Sequence, residues 1–89
     1  MLPKNRPPTP PGEILLEEFL KPLGMTQVEL ANRMGVPIQR VNTLIRGKRA
    51  VTAGTAILLA RVFKTSPEFW MNLQTQCDLW EAGRRLAIT

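Results

Sequence analysis

Apolar positions recur at helical spacing in five separate runs of the chain, and no stretch shows the two-residue alternation of a half-buried strand. In the first run, "GEILLEEFLKPLG", Ile14, Leu15, Phe19 and, less centrally, Leu16 share one side. Glu13, Glu17 and Glu18 sit early, where the positive helix terminus favours them. Pro22 and Gly24 should end this helix. Thr26 with Glu29 three places on is a capping box, so a second helix starts at Gln27, turns Leu30, Ala31 and Met34 inward, and stops at Gly35. A third runs from about Pro37 to Arg46 and ends at Gly47. Thr52 caps a fourth, "AGTAILLARVF", apolar nearly all round and therefore expected to be the central buried helix. Ser66 caps a fifth, with Pro67 in its first turn and Phe69, Leu73, Gln76 or Cys77, and Trp80 along one stripe. The expected fold is all-α with five helices.

These runs divide the chain of 89 residues into a proline-rich arm at 1–11, one domain at 12–83 and a short tail at 84–89. Five of the eight prolines fall in the arm, which should be extended and poorly ordered. A hydrophobic content of 44% suffices for one core and not for two. No apolar run approaches the roughly 18 residues that a bilayer span needs, and "MLPKNRPPTPP" has no signal-peptide core, so a cytoplasmic protein without membrane contact is expected.

Between the second and third helices the spacing has a steric logic. Ala31 lets the two helices cross closely, Gly35 supplies the positive φ of a short turn, and Val41 with Leu44 anchors the pair on the core. This is the pattern of a helix-turn-helix, which a plain helical hairpin can share by chance. With Val41, Leu44 and Ile45 inward, Gln39, Asn42, Thr43 and Arg46 face outward. An ordinary solvated face mixes Lys with Glu. This one carries side chains suited to base edges and phosphates instead.

Charge sharpens the picture. The chain has a net charge of +5 and a pI near 10.4. From Leu30 through Pro67 it holds seven basic residues, Arg33, Arg40, Arg46, Lys48, Arg49, Arg61 and Lys64, and no acid. A positive field segregated onto one stretch suits a polyanion such as duplex DNA. Arg40 on the flank of the helix, Arg46, and Lys48 and Arg49 beyond it read as DNA backbone contacts, as does Gln27 at a helix N-terminus. Arg33 and Arg61 read as ordinary surface charges.

Catalytic chemistry lacks its parts. There is no histidine and only one cysteine, which removes zinc sites, Cys/His pairs and internal disulfides. Glu17 and Glu18 are adjacent and point about 100° apart on a helix, and no phosphate-cradling glycine loop exists, so neither an enzyme nor a cofactor or metal is expected. Cys77 reads as a packing residue.

"MTQVELANRMGVPIQRVNTLIRGKRAVT" resembles the XRE-type helix-turn-helix of phage repressors. The flanking "PGEILLEEFL" and "TSPEFWMNLQTQCDLWEA" resemble HigA-type antitoxins, and the likeness covers about residues 10 to 82. It implies a phage-repressor-like DNA-binding domain in which Gln27 bonds a phosphate and Ile38, Gln39 and Thr43 meet bases; Asn42 joins the base contacts from its place on the outward face of the helix. Pro37 departs from the pattern, since many relatives cap the recognition helix there with Ser or Thr. The resemblance also implies a homodimer that binds an operator in its own promoter and sequesters a RelE-like ribonuclease toxin.

The partner surfaces follow. Phe69, Trp70, Leu73, Cys77 and Trp80 are the candidate dimer interface, because so small a protein cannot easily bury such large aromatics on one terminal helix. Glu13, Glu17 and Glu18 are the candidate contact for a basic toxin, with a solvated face as the alternative. The arm, with Lys4 and Arg6, would order on that partner, trail along DNA, or do neither. A stand-alone XRE-type regulator without a toxin and a protein–protein adaptor remain as rival functions.

Overall fold

The computed structural model describes residues 6–87; residues 1–5, Lys4 among them, and 88–89 lie outside it. Five helices make up the fold, and there is no strand among the described residues. Helix α1 has three continuous pieces: Pro11–Ile14, a widened π-helical stretch at Leu15–Leu20, and a last turn at Lys21–Leu23. Then come α2 (Gln27–Met34), α3 (Ile38–Ile45), α4 (Ala53–Phe63) and α5 (Pro67–Ala87).

Local chemistry sets most of these boundaries. The Glu29 N–H donates to Thr26 Oγ1 and the Thr26 N–H to Glu29 Oε1, both at 3.1 Å, so the capping box is complete. Gly35 closes α2 at φ 71° and Gly24 closes α1 at φ 63°, a region that a residue with a Cβ enters at a cost. Thr52 Oγ1 accepts from the Thr55 N–H at 3.4 Å, and Ser66 Oγ from the Phe69 N–H at 3.1 Å.

Three expectations need correction. Pro22 does not end α1. It has no N–H to give, and the turn before it is widened, the Lys21 N–H reaching Leu16 O, so the helix passes through the proline to Leu23. The fifth helix runs on through Gly83 to Ala87, past the boundary expected at 83. Glu81 pairs with Arg84 at 2.8 Å and Arg85 at 3.5 Å, and Arg84 lies 5.5 Å from the Trp80 ring centroid. A mid-helix glycine weakens a helix, and these exposed pairs and the cation–π contact offset part of that cost. Lastly, α4 is central but not buried all round: Thr55, Ala56, Leu59 and Ala60 face inward, while Ile57 is 41% exposed.

The core joins Leu15 and Leu20 of α1, Leu30, Ala31 and Met34 of α2, Val41 and Leu44 of α3, Val51, Leu59 of α4 and Trp70 of α5. Trp70 is fully buried, its Nε1–H donates to Thr65 Oγ1 at 2.8 Å, and Phe19, Phe63 and Phe69 surround its ring at 5.0–6.3 Å. A buried indole thus keeps its polar atom satisfied. At the other end of the core α1 meets α3. A Cβ on Gly12 would overlap the Leu44 carbonyl oxygen and lie 2.9 Å from Ile45 Cα.

Two outcomes are expected. Gly12→Ala forces backbone against backbone and should cost about 1–3 kcal/mol, the usual penalty for overpacking; an unchanged urea midpoint would mean that α1 can slide clear. The hydrogen bonds from Thr26, helped by Arg33, hold the Glu29 carboxyl below its ordinary value. Its contribution to stability is therefore complete above the ordinary glutamate range and is lost as pH falls through the lowered value. Glu29→Gln should remove that dependence, so the two proteins' urea midpoints should differ at neutral pH and converge in acid.

Candidate nucleic-acid interface

Helix α3 stands on the core through Val41 and Leu44, which are 1% and 3% exposed. Pro37 is its N-cap, with extended backbone at φ −63° and ψ 149° and no side-chain hydrogen bond. The Arg40 N–H bonds the Pro37 carbonyl at 3.0 Å, so α3 forms without the missing Ser or Thr. Ile38 and Gln39 lie exposed beside this end.

The side chains named as base contacts are not equivalent. Gln39 is exposed, with its amide available in full. The Thr43 hydroxyl donates back to Gln39 O at 2.8 Å and lies 3.3 Å from Arg40 O, which commits its proton within the helix. Asn42 is half-buried, and its Nδ2 donates to Gln27 Oε1 at 3.2 Å. Gln27 and Asn42 therefore form one unit across the turn, with Gln27's amino group remaining to meet a phosphate.

Arg40 is the clearest departure. Its guanidinium does not extend outward: Nη2 donates to the buried Thr55 Oγ1 at 3.3 Å, and Nε is buried with no hydrogen-bond partner among the described residues. Arg40 braces α3 against the start of α4 and is not presented as a free phosphate contact. The reason is positional, because Thr55 lies in the first turn of α4 and is 2% exposed. Arg46, Lys48 and Arg49 are exposed and enter no ion pair among the described residues.

The turn that carries these cations is fixed from behind. Gly47 adopts φ 74°, and the buried Val51 donates its N–H to Gln74 Oε1 on α5 at 2.9 Å. Gln74 Nε2 donates in turn to Asp78 Oδ1 at 2.9 Å. Periodicity could not single out Gln74, because its role lies in one backbone amide of a distant loop.

The α5 stripe named for an interface mostly faces its own chain. Trp70 is wholly internal and unavailable to a partner, since the aromatic cluster takes it up. Leu73 packs on the core, and Cys77 Sγ sits 3.9 and 3.8 Å from the carbonyl oxygens of Pro8 and Thr9. Burial and nearby Asp78 raise the Cys77 thiol pKa, which disfavours its thiolate. Phe69 stays 38% exposed, whereas Leu79, which the sequence reading passed over, is 61% exposed. Glu13, Glu17 and Glu18 are exposed on α1, and Glu17 pairs with Lys21 at 2.8 Å. No helix among the described residues is long and apolar enough to cross a membrane.

The helix-turn-helix family profile matches residues 16–70. An uncharacterized HTH-type transcriptional regulator of Haemophilus influenzae is 45% identical over 77 residues, covering 86% of this chain and 72% of its own length. Antitoxin HigA-1 of Vibrio cholerae is 44% identical over 81 residues, 91% of this chain and 76% of its own. The Pseudomonas aeruginosa antitoxin HigA, solved with the higBA promoter, superposes with a TM-score of 0.84 at 40% identity, covering 89% and 90% of the two chains. With this profile match over residues 16–70 and relatives of 40–45% identity, the chain belongs to the XRE-type helix-turn-helix family, of the HigA antitoxin kind.

Proposed function

We propose that this protein is a sequence-specific DNA-binding antitoxin that represses its own promoter as a homodimer and neutralises a RelE-like ribonuclease. The observation that carries the reading is the outward face of α3 and its following turn, where Gln39, Arg46, Lys48 and Arg49 stand exposed with no acid among them. Likeness to an antitoxin solved with its promoter supports the same use of that face. Gln39 and the Thr43 methyl are the base readers in this scheme, Ile38 adds an apolar contact, and Gln27 with the three cations holds phosphates.

A dimer is required because one short helix reads too few bases, and two copies about 34–36 Å apart cover two half-sites. The exposed side of α5, marked by Leu79, is the surface we assign to the second copy. Toxin contact is assigned to Glu13, Glu17 and Glu18. These carboxylates attract a basic ribonuclease and repel DNA, and a groove of about 570 Å³ lined by Phe19, Leu23 and Phe63, with the cations Arg33 and Lys64, opens beside Glu18. A stand-alone regulator is the second reading, favoured by the Haemophilus relative's description as a transcriptional regulator.

Three outcomes test the scheme. Gln39→Ala should cost about 1–3 kcal/mol on the cognate operator and relax base preference at one position per half-site. An equal loss on random DNA would remove Gln39 from the readers. Leu79→Glu should give a folded monomer with much weaker operator binding, and a dimer persisting in light scattering would move the interface elsewhere. Reversing Glu17 and Glu18 to Lys should slow association with a co-expressed ribonuclease at low salt while leaving operator affinity equal or higher. Failure of the parent chain to co-purify with any ribonuclease encoded beside it would favour the stand-alone regulator.

A further inference from the structure

The arm is held where its cation serves the DNA face. Pro11 and Gly12 are buried where α1 meets the end of α3, and Pro8 and Thr9 lie over Cys77. Pro7, Pro8 and Pro10 line a groove of about 440 Å³ whose lining also holds Trp80, Lys48 and Arg49. The described arm thus runs alongside the turn that follows α3, and Arg6 leaves it exposed.

Stiffness makes this placement consequential. Four of residues 7–11 are proline, which fixes φ and favours an extended course of about 3.1 Å per residue. A cation delivered by such a segment loses little conformational entropy on meeting a ligand. Arg6, Lys48 and Arg49 have no carboxylate within ion-pair distance among the described residues. Glu81, the acid in the groove lining, is already shared by Arg84 and Arg85.

We infer that the arm is part of the DNA-binding surface, with Arg6 adding a phosphate contact beside those of Lys48 and Arg49, on the duplex backbone flanking the half-site. This rests on the DNA-binding reading above. Glu13, Glu17 and Glu18 are not among the residues that line this groove with Lys48 and Arg49, so the arm is assigned to the duplex and not to the toxin.

The test is a salt titration of operator binding by fluorescence anisotropy, using the full chain and its Arg6→Ala and Arg6→Lys variants. Arg6 is exposed and bonds nothing in the core, and circular dichroism checks that each variant is folded. Each lost phosphate contact lowers the slope of log affinity against log salt by about 0.9, and a dimer loses two, so between 50 and 200 mM salt the parent should lose about 12-fold more affinity than Arg6→Ala. Arg6→Lys should keep the parent slope, and random duplex should show the same change as operator. If Arg6→Ala keeps the parent slope while the parent binds the operator, the arm is not on the DNA and this inference falls alone. If the parent shows no salt-dependent binding to duplex of either kind, the DNA-binding reading falls and takes the inference with it. A loss of toxin affinity in Arg6→Ala with an unchanged salt slope would assign the arm to the toxin and overturn the proposal.

Discussion

The close approach of Gly12 to the carbonyl end of α3 is the constraint on which the arrangement depends. Only a residue without a Cβ lets α1 seat on Leu44 and Ile45. That contact fixes where α1 begins relative to the helix that faces outward. It also directs the proline segment toward the turn holding Lys48 and Arg49 and leaves the acidic side of α1 exposed elsewhere. The hydrophobic core around Leu15, Leu59 and Trp70 provides the bulk of the cohesion. It does not by itself say how α1 and α3 are oriented; the glycine does.

A second layer of order comes from polar groups spanning the helices. Gln27 with Asn42, and Arg40 with Thr55, are 15 residues apart in each case and tie α3 to α2 and to α4. Each bond adds only about 0.5–1.5 kcal/mol of net stability. Their value lies in geometry, because a recognition helix held by such bonds on two sides presents Gln39 and Arg46 in one orientation and spends little entropy on ordering them.

Much of the fold was legible in the sequence because its signals are local. Thr26 with Glu29, Gly35, Thr52 and Ser66 each carry a cap or turn within four residues, and all four function as expected. The inward sets Leu30–Ala31–Met34 and Val41–Leu44 follow from spacing alone. What was not legible depends on distance. Arg40 looked like a free cation until Thr55 arrived beside it, and Trp70 and Leu73 looked like a sticky stripe until Phe19 of α1 met the Trp70 ring and Leu73 packed on the core. Gly12 looked like a helix start, since no local pattern announces a backbone 32 residues away. Pro22 misled for a different reason, as a widened turn can absorb a proline that an ideal helix cannot.

The bond from the Val51 amide to Gln74, steadied by Asp78, joins the loop behind the recognition helix to the long terminal helix. This rung links the placement of α5 to that of the cationic turn, so a ligand that displaced α5 would have to break it or carry the turn along. A ligand whose binding displaces α5 alters the affinity of the turn for an anion by some factor, and reciprocity requires the anion to alter that ligand's affinity by the same factor. Gln74 is one side chain through which such a coupling would run.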